Sequence, residues 1–99
     1  MQEINELIKI WALDRNLIDY ENRFKQLAKV TEELGEVSKA MQGQILSEMQ
    51  GEIGDLLTAT MILSYQCRID PVNALKYAYE KIKTRKGKTI DGIFVYGKE

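Results

Sequence analysis

The feature that most constrains this chain is Gly51–Cys67, a helix-forming run whose charged residues all lie at its start. From Leu56 onward it carries no formal charge, and a helix that is apolar on every side is normally buried on every side. Glu52 and Asp55, spaced i, i+3, project from one helical face. That face continues with Ala59, Ile62 and Leu63. Because burying an unpaired carboxylate is costly, we expect both to be paired, protonated or bound to metal.

Length and charge limit the class of protein. A chain of 99 residues fits one domain, so we expect 1–99 to be a single domain with a C-terminal arm over about 88–99. The net charge of −1 gives no general attraction to nucleic acid or to an anionic membrane. Cys67 is the only cysteine, and no apolar run is long enough to span a bilayer. These features predict a soluble cytoplasmic protein.

The chain contains no histidine, which removes the commonest general base and the commonest zinc ligand. A metal site would therefore use carboxylate oxygens. Such ligands favour a hard divalent ion, with Mg²⁺ first and Mn²⁺ as an alternative.

Helical periodicity predicts a small all-α four-helix bundle. The first helix ends near 14–16, and the second runs from about 21 to 42 with Gly43 as its C-cap. Ser47 and Gln50 fit a capping box for the third helix. Asp70 and Pro71 fit the start of a fourth, which fades near 84–87. The tail after it is predicted as an extended arm or a short strand pair.

Two of these helices carry apolar residues that need a partner. The fourth helix has a seam of Val72, Leu75, Tyr79 and Ile82 that we expect to be buried. The third helix has a second apolar side, which includes Ile53, Leu57, Met61 and Tyr65. We expect a homodimer or a dimer of dimers to cover that side. The alternative is that the first helix or the tail covers it.

A second acidic pair lies on the second helix. Glu33 and Glu36 are also spaced i, i+3, beside the apolar stripe of Leu27, Val30, Leu34, Val37 and Met41. If the second and third helices pack antiparallel, both pairs converge on one pocket. Four converging carboxylates repel one another, and divalent cations offset that repulsion. The predicted metal ligands are Glu33, Glu36, Glu52 and Asp55. The alternative is that both pairs are solvated helix surfaces.

The spacing of the two acidic pairs resembles the signature of the all-α nucleoside triphosphate pyrophosphohydrolases, the MazG-like family. The segment 26–36 is similar to the first motif of that family, and 52–57 to its second. Segments 79–88 and 91–95 are similar to the C-terminal block of the short bacterial and phage members. One departure is Thr84, where family members often have asparagine.

The resemblance implies hydrolysis of an NTP or dNTP between the α- and β-phosphates, which yields a monophosphate and pyrophosphate. Phosphoryl chemistry of this kind depends on positioning and charge neutralisation, so it needs no histidine. Glu32 and Glu36 are the candidates for orienting or deprotonating the attacking water.

Candidate substrate contacts come from several parts of the chain. Lys29 lies one turn before Glu33, and Lys81 and Arg85 form an i, i+4 pair in the densest basic run. That run could equally be a solvated helix end. Trp11 fits either the core or a stacking contact with a base. The remaining candidates for contacts with the nucleoside are Gln26, Asn73 and Tyr77.

Two other functions are compatible with the same residues. One is a non-catalytic helical dimer that binds a nucleotide or a partner protein through its acidic cluster. The other is a metal-dependent phosphohydrolase that releases inorganic phosphate. Neither the base nor the sugar of the substrate is indicated by the sequence.

Overall fold

The computed structural model describes residues 2–97, and this part of the chain is mostly helical. A short 3₁₀ turn, Tyr20–Asn22, precedes the second helix. The four helices are α1 (Gln2–Asp14), α2 (Arg23–Gly43), α3 (Leu46–Gln66) and α4 (Pro71–Ile82). Two strands follow them, β1 (Gly87–Ile90) and β2 (Ile93–Tyr96). The structure has the four predicted helices and agrees with the predicted all-α class, and the tail adds a small sheet, which was one of its two predicted forms.

Helices α2 and α3 form an antiparallel hairpin. Near its open end, Nε2 of Gln26 donates a hydrogen bond to the Ala59 carbonyl over 3.0 Å. At its closed end, Gln44 adopts the left-handed conformation (φ 59°), and its N–H bonds back to the Ala40 carbonyl. The predicted C-cap at Gly43 was therefore one residue early, since Gly43 still belongs to the helix.

The start of α3 also differs from the prediction. Ile45 occupies the N-cap position, and its side chain makes no capping hydrogen bond. Because the helix begins at Leu46, Ser47 lies inside its first turn, so the predicted capping box of Ser47 and Gln50 was wrong. The connection between α2 and α3 consists of Gln44 and Ile45 alone, so Ile45 occupies the N-cap position although its side chain cannot cap. The helix N-terminus is set by this short connection.

The small hydrophobic core lies along α3, with members from α1, α2 and the start of α4. Its buried apolar members are Ala12, Val37, Ala40, Ala59, Met61, Ile62 and Val72. The predicted inward face of α3 is confirmed at Ala59 and Ile62, both 6% exposed. Helix α1 is attached to α3 by a buried polar contact, in which the Tyr65 hydroxyl donates to Oδ1 of Asn5 over 2.6 Å.

Helix α4 begins as predicted, but most of its seam is not buried. Oδ1 of Asp70 accepts from the backbone N–H of Val72 over 2.8 Å, as expected of an N-cap before Pro71. Only Pro71 and Val72 of this helix are buried. The rest of the predicted seam is more than half exposed, at Leu75, Tyr79 and Ile82. Within one chain the expectation of burial was wrong, because α4 packs mainly against α3, and it does so through a small contact.

Two further apolar surfaces are exposed on the helical hairpin. Leu27, Leu34 and Met41 of α2 are 48–58% exposed, because α2 turns Val37 and Ala40 toward α3 instead. On α3, Leu57 is 52% exposed, whereas Met61 is buried and Tyr65 contacts α1. The first helix therefore covers part of the second apolar side of α3 and leaves part of it open.

The tail forms an antiparallel strand pair. Gly87 pairs with Tyr96, and Ile90 pairs with Ile93. The connecting residues Asp91 and Gly92 both have positive φ, at 52° and 78°, which suits a tight two-residue hairpin. The predicted arm over 88–99 is thus a hairpin up to position 97, and the positions beyond it lie outside the described residues. No helix within residues 2–97 combines the length and the apolarity that crossing a bilayer requires.

Candidate active site

Three carboxylates from α2 and α3 converge at the centre of the helical hairpin. Each of Glu33, Glu52 and Asp55 offers an oxygen that lies within 4.8 Å of the other two. The antiparallel packing causes this convergence, since Glu52 and Asp55 share one face of α3 and that face lies opposite Glu33 of α2. The two acidic motifs of the sequence therefore meet across one cleft.

Lys29 neutralises part of this charge. Its Nζ lies 3.0 Å from Oε1 of Glu33, whose side chain is only 12% exposed, and 3.8 Å from Oε1 of the exposed Glu32. The hydrogen bond to Glu33, followed by the nearby charge of Glu32, raises the pKa of Lys29 above its ordinary value of 10.5. Lys29 is therefore a fixed positive charge at the edge of the cluster.

Glu36 lies on the far side of the cluster. It lines a cavity of about 340 Å³ together with Glu52 and Asp55, and its Oε1 lies 3.6 Å from Nζ of the exposed Lys39. Three of the four predicted metal ligands therefore line this cavity, whereas Glu33 lines the neighbouring one and completes the tight group with Glu52 and Asp55. Glu32 and Glu36, the candidates for handling the water, flank Glu33 on the same helix.

Among the clustered carboxyl groups, Glu52 has a pKa that is raised by its surroundings. Its pKa is raised above the ordinary 4.5 by partial desolvation first, and then by the negative charges of Asp55, Glu36, Glu33 and Glu48. A carboxylate surrounded by others is stabilised by a proton or by a cation. Three carboxylate oxygens at this spacing are a hard donor set of the kind that binds Mg²⁺ or Mn²⁺, so the residues present fit such an ion.

A larger cavity of about 630 Å³ extends from the cluster toward α1. Glu33, Asp55 and Lys29 lie at one end of it, and Ala59 and Ile62 of α3 form an apolar floor. Its remaining walls are Trp11, Asn16, Leu17, Asn22, Lys25, Gln26, Thr58 and Gln66. The volume is within the range of small-molecule sites, which is about 300–1,000 Å³.

Of the four residues predicted to contact the nucleoside, two line this cavity and two lie on α4. Trp11 lines the cavity and is 46% exposed, so it is not a core residue. Gln26 also lines the cavity, while its amide group bonds to Ala59. Asn73 and Tyr77 lie on α4, and neither lines the cavities that hold the acidic cluster.

The basic residues of the C-terminal block lie in another place. Lys81 and Arg85 line a separate cavity of about 520 Å³ with Thr84, Lys86, Tyr96 and Gly97. The guanidinium of Arg85 lies 4.5 Å from the centre of the Tyr96 ring, and the ammonium of Lys81 lies 4.9 Å from the centre of the Tyr77 ring. Thr84 donates to the Lys81 carbonyl. Neither cation lines the two cavities that the acidic cluster borders.

Sequence reasoning missed Gln66 and Asn5, the two buried polar residues of the described part of the chain. Gln66 is 3% exposed, and its Nε2 donates to the Leu17 carbonyl over 2.8 Å. One signal was available for Gln66, because it lies seven residues after Ala59 on the inward face of α3. Asn5 lies within the apolar periodicity of α1, where its polar side chain gave no separate signal.

With this geometry described, comparison with known proteins identifies the family. Residues 23–90 match the MazG nucleotide pyrophosphohydrolase domain, and this match covers most of the chain. The chain belongs to the MazG nucleotide pyrophosphohydrolase family. The match includes α2, α3 and α4, and therefore both acidic motifs of the MazG domain.

A relative of this MazG chain occurs in a virus. The chain is 33% identical over 72 residues to the uncharacterized 18.2 kDa protein in the rep-hol intergenic region of Haemophilus phage HP1 (strain HP1c1). The aligned part is 73% of this chain but only 44% of the phage protein. The chain thus spans less than half the length of that relative. No solved structure matches it significantly.

Proposed function

We propose that this MazG domain hydrolyses nucleoside triphosphates, NTP or dNTP, between the α- and β-phosphates with the help of Mg²⁺. The products would be a nucleoside monophosphate and pyrophosphate. One observation carries the proposal: Glu33, Glu52 and Asp55, from two successive helices, bring carboxylate oxygens within 4.8 Å of one another. Membership of a nucleotide pyrophosphohydrolase family supports the same reaction class.

The acidic residues have separate roles in this proposal. Glu33, Glu52 and Asp55, with Glu36 beside them, would hold Mg²⁺, and Mn²⁺ could replace it. The bound ion would neutralise phosphate charge and lower the pKa of a bound water. Glu32 or Glu36 would orient or deprotonate the attacking water, because both are close to Glu33 on α2 and Glu36 also lines the smaller cavity. No histidine is required for these steps.

The larger cavity would hold the nucleotide. Phosphates would lie at the end lined by Lys29, where an ammonium can turn from Glu33 toward a phosphate oxygen. The nucleoside would lie over the apolar floor, with Trp11 and Gln26 beside it. Asn73 and Tyr77 remain candidate nucleoside contacts on α4.

Self-association is part of the proposal, as a homodimer or a dimer of dimers. The exposed apolar residues of α2, α3 and α4 give the chain surface that a second copy would cover. Lys81 and Arg85 could then contact the substrate only if assembly or movement of α4 brings them to an acidic cluster. We also place the reaction in the cytoplasm, since the single cysteine forms no intrachain disulfide.

A product assay tests this function. The purified protein is incubated with a panel of NTPs and dNTPs and Mg²⁺, and the products are analysed for pyrophosphate and for inorganic phosphate. Pyrophosphate with a nucleoside monophosphate is the expected result. Release of inorganic phosphate alone would assign a different phosphohydrolase activity. Nucleotide binding without turnover would assign a non-catalytic binding module.

A further inference from the structure

The side chain of Gln66 has a buried acceptor that no protein group uses. Its Nε2 donates to the Leu17 carbonyl, but its Oε1 is buried without a hydrogen-bond partner. No other buried side-chain nitrogen or oxygen in the described residues lacks a partner. Since a backbone carbonyl accepts and never donates, the NH₂ group must face Leu17, and the orientation of the amide is determined. A buried acceptor left unpaired is destabilising, so its retention needs a reason.

The position of Gln66 supplies that reason. Gln66 and Asp55 line the same 630 Å³ cavity and lie on one face of α3, about 16 Å apart along the helix axis. An extended nucleoside triphosphate has a comparable length. With its phosphates at Asp55, its base would reach the end of the cavity where Gln66 lies.

The surroundings of Gln66 suit a base. Trp11 lines the same cavity and offers an aromatic face for stacking, while Ile62 contributes an apolar surface beneath it. Gln66 also borders a second cavity on its other side, but Asp19 and Glu21 line that one. That second cavity also contains Arg68, and within the described residues it has no group of three converging carboxylates. The 630 Å³ cavity reaches such a group, which fits Mg²⁺, so it is the better site for a nucleotide whose phosphates bind through the ion.

We infer that Gln66 determines base specificity: its Oε1 accepts a hydrogen bond from an exocyclic amino group of the base. This inference rests on the proposed nucleotide function. Cytosine and adenine carry such an amino donor, whereas uracil and hypoxanthine present a carbonyl acceptor at the same position. The Gln66 Oε1 and a base carbonyl are both acceptors, so they cannot form a hydrogen bond with each other and both stay unpaired. Cytosine and adenine nucleotides therefore bind better than their uracil and hypoxanthine counterparts.

Binding of monophosphates tests this inference without any need for turnover. Trp11 is the only tryptophan of the chain, so its fluorescence reports on the cavity directly. The protein is titrated with CMP and UMP, and with AMP and IMP, in the presence of Mg²⁺. We expect the amino-bearing member of each pair to bind about tenfold more tightly, the effect of one unmatched buried acceptor. Equal affinities within both pairs, or no binding at all, would overturn the inference.

A substitution separates recognition from a purely structural role. Gln66→Met keeps a similar side-chain volume but removes the acceptor. The ratio of the two affinities within each nucleotide pair should therefore fall toward one. Gln50→Met, at an exposed position on the same helix, should keep the preference of the natural protein. An equal loss of affinity for all four nucleotides in Gln66→Met would show that Gln66 only supports the fold. If that variant does not fold, the titration of the unaltered protein with the two nucleotide pairs still tests whether amino-bearing bases bind more tightly.

The outcomes for the two proposals are distinguishable. Pyrophosphate release from every triphosphate, without discrimination between amino and carbonyl bases, would leave the proposed function standing and remove the role of Gln66. Discrimination in binding without turnover of any triphosphate would leave the role of Gln66 standing and remove the proposed reaction.

Discussion

The ammonium of Lys29 lies 3.0 Å from a carboxylate oxygen of Glu33, one helical turn further along α2. The lysine is half exposed, whereas the glutamate is nearly covered, so this pair joins the acidic cluster to the open cavity. In the proposed reaction this geometry would give Lys29 two functions, since it would orient a predicted metal ligand and supply positive charge where phosphates would enter.

Replacing Lys29 should weaken catalysis through substrate binding. In Lys29→Gln we expect kcat/KM for a triphosphate to fall about tenfold or more, because a charge-assisted hydrogen bond to phosphate is lost. Steady-state kinetics at several Mg²⁺ concentrations measure this. Lys76→Gln, on α4, is the matched control and should behave like the natural protein. Unchanged kinetics in Lys29→Gln would remove Lys29 from the site.

Removing one carboxylate from the cluster should abolish turnover without unfolding the protein. We expect Glu33→Gln and Glu52→Gln each to lower the rate by at least about a hundredfold, since an amide is a poor ligand for a hard cation. Pyrophosphate release measures the rate, and circular dichroism checks the fold. Glu3→Gln, at an exposed position of α1, is the control. If either cluster variant kept most of its activity, the ligand assignment would be wrong.

The raised pKa of Glu52 predicts how stability depends on pH in the metal-free protein. An acid whose pKa is higher in the folded state than in the unfolded state destabilises the fold once it is ionised. That destabilisation is absent below the ordinary pKa of 4.5 and develops as pH rises through the raised value. Glu52→Gln should therefore have the higher Tm at neutral pH, and the difference should shrink in acid.

Thermal unfolding in the presence of a chelator measures this difference. Added Mg²⁺ should raise the Tm of the natural protein more than that of Glu52→Gln, because a ligand that binds only the folded state stabilises it. A Tm difference that stayed constant from neutral pH to below 4.5 would contradict the electrostatic explanation.

The contact between Tyr65 and Asn5 should stabilise the attachment of α1. Tyr65→Phe leaves Oδ1 of the buried Asn5 without its donor, which we expect to lower the free energy of unfolding by about 1–3 kcal/mol. Urea denaturation measures the loss. Tyr79→Phe removes a hydroxyl from an exposed tyrosine and should change stability little. Equal stabilities of the two variants would mean that the buried contact contributes nothing.

Self-association should be visible at micromolar concentration. Light scattering is expected to give a mass of two or four chains, because the apolar surface of α3 and α4 is too extensive for a lone small domain. Leu57→Glu, at a half-exposed position, should shift the protein toward the monomer without unfolding it. A monomeric natural protein would contradict our interpretation of α3.

Much of the fold followed from local patterns. The helix positions were predictable because apolar periodicity and turn residues act over a few neighbouring positions, as at Asp70 and Pro71. The cap of α3 was not predictable in this way, because a two-residue connection with Gln44 in the left-handed conformation decided where the helix begins. The seam of α4 also could not be assigned, since periodicity identifies an apolar face but not what covers it.

The sequence by itself determined the helical class, the two acidic motifs and the donor chemistry, because residue type and i, i+3 spacing are properties of a single helix. Only the tertiary structure decided which of these groups meet. Antiparallel packing of α2 on α3 brings Glu33 to Glu52 and Asp55, and the connector after α1 supplies the Leu17 carbonyl that holds the buried Gln66. The position of the basic residues of α4 likewise depended on long-range packing, which local spacing does not encode.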